Sequence, residues 1–110
     1  MRIVGREKLV QFVKAHRDAR SWISGWIAEA EESGWQTTKE IKDRYRSASF
    51  LKDNIVIFNV KGNKYRMATQ VAYRRQIIFI KRIGTHGEYN SWSFKGGRDG
   101  DTGNKNGGGV

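Results

Sequence analysis

The 110-residue chain contains no cysteine and only two histidines. The absence of cysteine excludes a disulfide framework, a cysteine zinc cluster and a thiol nucleophile. Two histidines do not support a histidine-rich metal site, so we expect no metal and no cofactor. No run approaches the roughly 20 apolar residues that a membrane-spanning helix needs, and the opening, MRIVGREK, is charged at Arg2 and again from Arg6 to Lys8. We therefore expect no signal peptide, no membrane association and a cytoplasmic protein.

Acidic residues are also scarce, because 11 Asp and Glu accompany 21 Lys and Arg and leave a net charge of +10. The stretch from Asn54 to Gly87 has no acidic residue and seven basic ones, namely Lys61, Lys64, Arg66, Arg74, Arg75, Lys81 and Arg82. Such a basic field attracts phosphodiesters and weakens in salt, so it predicts an anionic partner. The alternative is a solvated cationic surface that only keeps the protein soluble.

The first half of the chain has the patterns of three helices. An apolar stripe with the i, i+3, i+4, i+7 spacing predicts the first helix, and its members are Leu9, Phe12, Val13 and His16. A second helix is predicted from Asp18, which suits an N-cap, to a stop at Gly34. A third is predicted from Thr37, whose spacing to Glu40 is that of a capping box, through about Arg44.

The second half changes to the pattern of β-strands. The run NIVIFNV, Asn54 to Val60, is β-branched and aromatic, and a Lys-Gly-Asn turn follows it. The next strand, about Lys64 to Tyr73, alternates so that Arg66 lies on the face opposite its apolar residues. A third strand is predicted from Gln76 to Gly84 and a short one over residues 1–4. The predicted fold class is α+β, with N-terminal helices on one face of a small, twisted, mainly antiparallel sheet.

The chain is short enough for one domain, predicted over residues 1–94. Residues 95–110 are rich in glycine and have almost no apolar anchor. We expect them to form a flexible tail.

A segment after the last predicted strand, T-H-G-E-Y-N, has side chains suited to RNA cleavage. Cleavage without a metal needs a base for the ribose 2′-hydroxyl, cations near the phosphorus and an acid for the departing 5′-oxygen. His86 suits the acid or base role, Arg66 and Lys81 suit the cationic role, and Tyr89 suits base stacking or proton transfer. Each also has a structural interpretation, as a surface histidine, a packing tyrosine or cations that only attract RNA. We expect the four to converge at one end of the sheet.

Two longer segments resemble a known family. They are F-N-V-K-G-N-K-Y-R, Phe58 to Arg66, and F-I-K-R-I-G-T-H-G-E-Y-N, Phe79 to Asn90. Together with W-x-x-x-x-E-I-K, Trp35 to Lys42, their order and spacing resemble the HigB toxins of bacterial type II toxin-antitoxin systems. These toxins belong to the RelE/ParE superfamily, so the resemblance also implies a RelE-like fold.

The resemblance implies an mRNA interferase, a metal-independent endoribonuclease that cleaves mRNA in the ribosomal A site and so arrests translation and growth. The implied partner is a HigA-type helix-turn-helix antitoxin, through which the toxin reaches operator DNA. The catalytic positions of the family correspond here to Arg66, Lys81, His86 and Tyr89. RelE-type members use lysine and arginine where this chain has a histidine, so the identity of the general base stays open. The other basic residues of the central stretch are expected to bind RNA: Lys61, Lys64, Arg74, Arg75 and Arg82.

Two other functions fit the same sequence. A ParE-like toxin that poisons DNA gyrase would use the same scaffold without His86 and Tyr89. An RNA-binding module without chemistry would need only the basic field.

Overall fold

The structure, a computed structural model, describes residues 1–92. Its strands are β1 (Arg2–Val4), β2 (Ser49–Leu51), β3 (Ile55–Val60), β4 (Tyr65–Ala72) and β5 (Ile77–Thr85). Its helices are α1 (Arg6–Ala15), α2 (Arg20–Glu32), α3 (Thr38–Arg44) and α4 (His86–Tyr89), and 3₁₀ turns cover Arg17–Ala19 and Lys52–Asn54. None of the helices in residues 1–92 has the length and apolar character to cross a bilayer. The predicted limit at residue 94 and the glycine-rich tail lie outside the described residues.

The five strands form one sheet in the order β1-β5-β4-β3-β2. Strands β2 to β5 pair antiparallel, and β1 pairs parallel to β5 at one edge. The helices α1, α2 and α3 pack on one face of this sheet. The predicted α+β fold class is therefore confirmed.

The main core lies between these helices and the sheet. Trp26 of α2 packs edge-on against Phe58 of β3, with 5.4 Å between ring centroids, and Ile41 anchors α3 with no exposed surface. Other core members are Leu9, Ile23, Ala30, Val56, Met67, Val71, Ile78 and Ile80. The alternation predicted for β4 is confirmed, since Met67 and Val71 enter this core and Arg66 does not.

The start of α2 differs from the prediction that Asp18 caps it. The helix begins at Arg20, and Ala19 occupies the N-cap without a side-chain hydrogen bond. Asp18 lies in the preceding 3₁₀ turn, where its carboxylate accepts hydrogen bonds from the Lys64 ammonium and, at 2.6 Å, from the Tyr65 hydroxyl. The aspartate therefore fastens the α1–α2 hairpin to the start of β4 rather than capping its own helix.

These contacts make part of the stability depend on pH. Hydrogen bonds from Lys64 and Tyr65 lower the pKa of Asp18 from 3.8 to about 2. A carboxyl group with a lower pKa in the folded state stabilises the fold above its unfolded pKa, and that contribution disappears as the pH falls through its folded pKa. The difference in Tm between wild type and Asp18→Asn should therefore be largest at neutral pH and should shrink as the pH approaches 2. Thermal unfolding at several pH values measures it.

A matched control is Asp43→Asn, because Asp43 belongs to an exposed ion pair with Lys39 on α3. It should change Tm little at any pH. An Asp18→Asn effect of the same size at pH 7 and pH 2 would contradict the assigned role of the carboxylate.

The second face of the sheet, which carries Ile57, Arg66 and Ala68, is called here the open face. At one end α4 and the residues after it cover this face. Tyr89 and Trp92 pack there with Ile57 and Ala68 in a second, smaller buried cluster. The chain after β5 therefore returns over the face that carries Arg66.

Candidate active site

Arg66 is held in place by the strands and rings around it. In β4 it pairs with Asn59 of β3 and with Gly84 of β5. Its guanidinium lies over the ring of Tyr89, with 5.7 Å between Cζ and the ring centroid. Its Nη1 donates a hydrogen bond of 3.2 Å to the carbonyl oxygen of Asn63. The planar donor group is thus fixed at one end of the open face, which is the geometry that suits a phosphate.

A second arginine repeats this arrangement beside the first. Arg82 lies over the ring of Trp92, with 5.2 Å between Cζ and the centroid, and Trp92 meets Tyr89 edge-on at 5.5 Å. Arg82 pairs with Ala68, so it is the diagonal neighbour of Arg66 across β4 and β5. We call the four residues Arg66, Arg82, Tyr89 and Trp92 the arginine-aromatic cluster. Two positive charges on one face are thus supported by two rings.

A capping box at the start of α4 returns the chain over the open face. The Thr85 hydroxyl accepts a hydrogen bond of 3.1 Å from the backbone N–H of Glu88. The Glu88 carboxylate in turn accepts one of 2.8 Å from the backbone N–H of Thr85. This reciprocal pair starts a helix directly after a strand. Tyr89 and Trp92 follow at once and are buried, with 8% and 4% of their surface exposed.

The close approach of α4 to the sheet requires glycine at position 84. A Cβ atom there would lie 2.5 Å from Oε1 of Glu88 and 3.1 Å from Cζ2 of Trp92. The Glu88 carboxylate is engaged in the capping box, and the indole ring is rigid. A side chain at position 84 would therefore push α4 and Trp92 away from Arg66 and Arg82.

Gly84→Ala should lower the free energy of unfolding by about 1–3 kcal/mol, the usual cost of overpacking a buried contact. Urea denaturation measures it. Gly87→Ala is the matched control in the same helix, since the nearest atom to its Cβ would be Oγ1 of Thr85 at 3.9 Å. Equal stability of the two variants would show that α4 does not depend on the glycine contact.

His86 is the first residue of α4, and its side chain is exposed. Its backbone N–H donates a hydrogen bond of 3.2 Å to the carbonyl oxygen of Lys64, two residues before Arg66 in the chain. The fold therefore places His86 at the same end of the sheet as Arg66 and Tyr89. The ring of Tyr89 is buried between Arg66 and Trp92, a placement that suits holding the guanidinium better than stacking on an RNA base.

Lys81 makes none of the ring contacts that hold Arg66 and Arg82 in the arginine-aromatic cluster. The β4–β5 register shifts between Ala68 and Thr69, whose partners are Arg82 and Ile80, so Lys81 is the additional residue of a bulge. It lines a cleft with Arg82 and with Glu7, Lys8 and Gln11 of α1. The bulge changes the alternation of β5, and Arg82 rather than Lys81 becomes the diagonal neighbour of Arg66.

The remaining predicted RNA-binding residues divide between the two ends of the sheet. Lys61 is exposed in the β3–β4 turn, at the end that carries Arg66. Lys64 is also at this end, but its ammonium pairs with Asp18. Arg74 and Arg75 are exposed in the β4–β5 turn, at the opposite end. At about 3.3 Å per residue along β4, roughly 26 Å separates Arg74 from Arg66.

The end of the sheet that carries the arginine-aromatic cluster has an excess of positive charge. Arg66, Arg82 and Lys61 are basic, and the nearby acid Glu88 is held in the capping box. Within residues 1–92 no group of three or more histidine or acidic side chains is arranged to hold a metal ion. The arrangement can bind and stabilise an anion, and His86 adds a group that can transfer protons.

Two residues of the site, Gly84 and Trp92, are not predicted from the sequence. The T-x-x-E spacing from Thr85 to Glu88 was an available signal, because it indicates a helix start directly after the strand. A tryptophan three residues after such a short helix could then have been assigned to packing on the sheet. The close approach at Gly84 has no comparable signal.

Comparison with known proteins agrees with this fold. A family model described as HigB toxin, RelE-like toxic component of a toxin-antitoxin system, matches residues 19–92. The matched range includes β2 to β5, α4 and the whole arginine-aromatic cluster. No curated protein matches the chain. Since the match covers more than half of the sequence, the chain belongs to the HigB toxin family, the RelE-like toxic component of a toxin-antitoxin system.

Proposed function

We propose that this toxin is an endoribonuclease that cleaves mRNA on the translating ribosome without a metal ion. One observation carries the proposal: two guanidinium groups, each held over an aromatic ring, lie at the same end of the sheet as an exposed histidine. RNA cleavage needs these components, namely cations fixed before the reaction and a group that transfers protons.

The reaction is an attack by the ribose 2′-oxygen on its neighbouring phosphodiester. A bond forms between the 2′-oxygen and phosphorus while the bond from phosphorus to the 5′-oxygen breaks. One proton leaves the 2′-hydroxyl and another reaches the departing 5′-oxygen. The products are a 2′,3′-cyclic phosphate, which hydrolysis can open to a 3′-phosphate, and a 5′-hydroxyl end.

His86 transfers a proton in this proposal, as acid or as base. Arg66 and Arg82 offset the charge that develops on the phosphoryl oxygens, because their positions are fixed before the substrate arrives. Arg82 thereby takes the place that the resemblance suggests for Lys81, whose cleft with α1 leaves it a role in holding the RNA strand. Tyr89 acts as a positioning residue that holds the Arg66 guanidinium.

The wider setting of the toxin follows from the same proposal. Lys61, at the cluster end, and Arg74 and Arg75, at the far end, would hold phosphates of the message or of ribosomal RNA. The toxin would act in the cytoplasm, where ribosomes translate. The family implies an antitoxin partner, and we propose that it is a HigA-type helix-turn-helix protein that carries the toxin to operator DNA.

Primer extension on a defined mRNA from cells with the gene induced tests the function. The wild type should produce new 5′ ends within translated codons, and co-expression of the antitoxin should remove them. An uncut message from growth-arrested cells would overturn the nuclease. Supercoiling defects in the same cells would then indicate gyrase poisoning, and retardation of RNA without cleavage would indicate a binding module.

A further inference from the structure

Helices α1 and α2 form a second surface feature, on the side of the sheet opposite to the open face. A groove of about 630 Å³ runs between them. Its apolar part includes Val10, Val13 and Ile27, and its basic part includes Lys14, Arg17 and Arg20. We call this surface the α1–α2 groove. The helices that form it pack on the face of the sheet opposite to the arginine-aromatic cluster.

The apolar part of the groove extends beyond what the core needs. Leu9 and Ile23, at the base of the groove, are buried in the core with 1% and 3% of their surface exposed. Val10 is 57% exposed, more than any other large apolar side chain of residues 1–92. Val10 lines the groove together with the half-buried Val13 and Ile27, and an apolar patch rimmed by basic side chains is typical of a surface that a partner covers.

The charge around the groove indicates the chemistry of that partner. Lys14, Arg17 and Arg20 line it, and no acidic residue does. Two acids of the same helical hairpin already have partners, Asp18 with Lys64 and Glu31 with Arg6. A partner with acidic residues beside apolar ones would match both parts of the surface. Nucleic acid would match only the basic part, because phosphates gain nothing from Val10.

We propose that the α1–α2 groove binds an acidic amphipathic helix of the antitoxin. Along α2 the groove runs from Arg20 to Ile27, seven steps of about 1.5 Å or about 10 Å, which is about two turns of a partner helix. A groove between two helices accepts a third helix through its apolar residues, and the flanking charges fix the orientation. The proposal rests on membership of a toxin-antitoxin family and not on the cleavage chemistry.

Two groove variants, Val10→Asp and Arg17→Glu, test the proposal. The antitoxin is identified as the neighbouring-gene product that restores growth when it is co-expressed with the toxin. Its Kd for purified full-length toxin is measured by calorimetry. Each variant should raise the Kd at least about tenfold, because one places a charge in the apolar part and the other reverses a charge that faces acidic residues. Both residues are exposed, so Tm should stay near that of the wild type.

The matched control is Arg46→Glu, an equal charge reversal at an exposed residue after α3. It should change the Kd by less than about twofold, as surface substitutions outside an interface do. Primer extension with the groove variants should give wild-type cleavage. If neither the wild type nor the variants cleaved mRNA, the proposed nuclease function would be rejected, whereas the docking proposal would still be tested by the Kd values.

Three results would overturn the docking proposal. If both groove variants bound the antitoxin with the Kd of the wild type, the antitoxin would bind a different surface of the toxin. Sedimentation that shows a toxin dimer, dissociated by Val10→Asp, would assign the groove to a second copy of this chain. A loss of ribosome binding in Arg17→Glu, with antitoxin affinity unchanged, would assign it to RNA.

Discussion

Alanine at position 66 is expected to lower the rate of mRNA cleavage by about a hundredfold, the usual loss when one preorganised charge-stabilising donor is removed. The Arg66 guanidinium is held by the ring of Tyr89 and by the carbonyl oxygen of Asn63 before any substrate binds. Its loss removes a fixed charge from the transition state. Single-turnover cleavage of mRNA on translating ribosomes, with toxin in excess, measures the rate.

Two variants show whether position or mere charge matters. Arg66→Lys keeps the charge but loses the planar donor group, so its rate should fall between those of wild type and Arg66→Ala. Arg75→Ala removes an equal charge at the opposite end of the sheet, where it would weaken RNA binding but not the chemical step, so at saturating toxin the single-turnover rate should change by less than about twofold. Equal losses in Arg66→Ala and Arg75→Ala would mean that cleavage needs only a general attraction for RNA.

Alanine at position 86 is expected to slow cleavage by at least about a hundredfold, because a positioned acid or base contributes about 10²–10⁴ to a rate. The contact that His86 makes with Lys64 uses the backbone N–H, which alanine keeps. The side chain is exposed, so Tm should change little. The same single-turnover assay measures the loss at saturating toxin, where weaker binding does not contribute.

His86→Gln separates proton transfer from binding. Glutamine can donate and accept hydrogen bonds, but it does not take up or release a proton near neutral pH. Its rate should be as low as that of His86→Ala. A His86→Gln rate equal to that of wild type would reduce His86 to a binding group and leave the acid or base to be found elsewhere.

The regular parts of the fold could be predicted from local patterns. The β3–β4 hairpin follows from a β-branched run and a Lys-Gly-Asn turn, and the helical hairpin from an apolar stripe. Thr37 caps α3 as its spacing predicts, accepting a hydrogen bond of 3.2 Å from the backbone N–H of Glu40. The Glu40 carboxylate departs from the capping box, because it accepts from the backbone N–H of Gln36 instead.

The parts that local patterns missed depend on contacts between distant residues. Asp18 satisfies the rules for an N-cap, but its partners Lys64 and Tyr65 are more than 40 residues away. The strand β2 is only three residues long, and β1 pairs parallel to β5, 75 residues later in the chain. Their pairing is therefore set by the assembled sheet rather than by their own sequences.

The sequence suggests the residue types of the candidate site, whereas their relative positions come from the folded structure. Arg66 and His86 were assigned from their chemistry, and both lie at one end of the sheet. A pattern that alternates every two residues does not reveal the bulge at Lys81. The sequence alone therefore does not show whether Lys81 or Arg82 lies beside Arg66 on the open face. The pairing of each arginine with a ring depends on how α4 returns over the open face.

The chemistry of the RNA ends is the most direct test of the central claim, that the arginine-aromatic cluster and His86 cleave RNA through its own 2′-hydroxyl. Purified toxin is added to ribosomes that translate a defined mRNA, and the fragments are isolated. We predict 5′-hydroxyl ends that a polynucleotide kinase labels without prior phosphatase treatment, 2′,3′-cyclic phosphate on the upstream fragment, and about a hundredfold slower cleavage with Arg66→Ala. Fragments with 5′-phosphate ends, or an mRNA left intact by folded wild-type toxin, would contradict the claim.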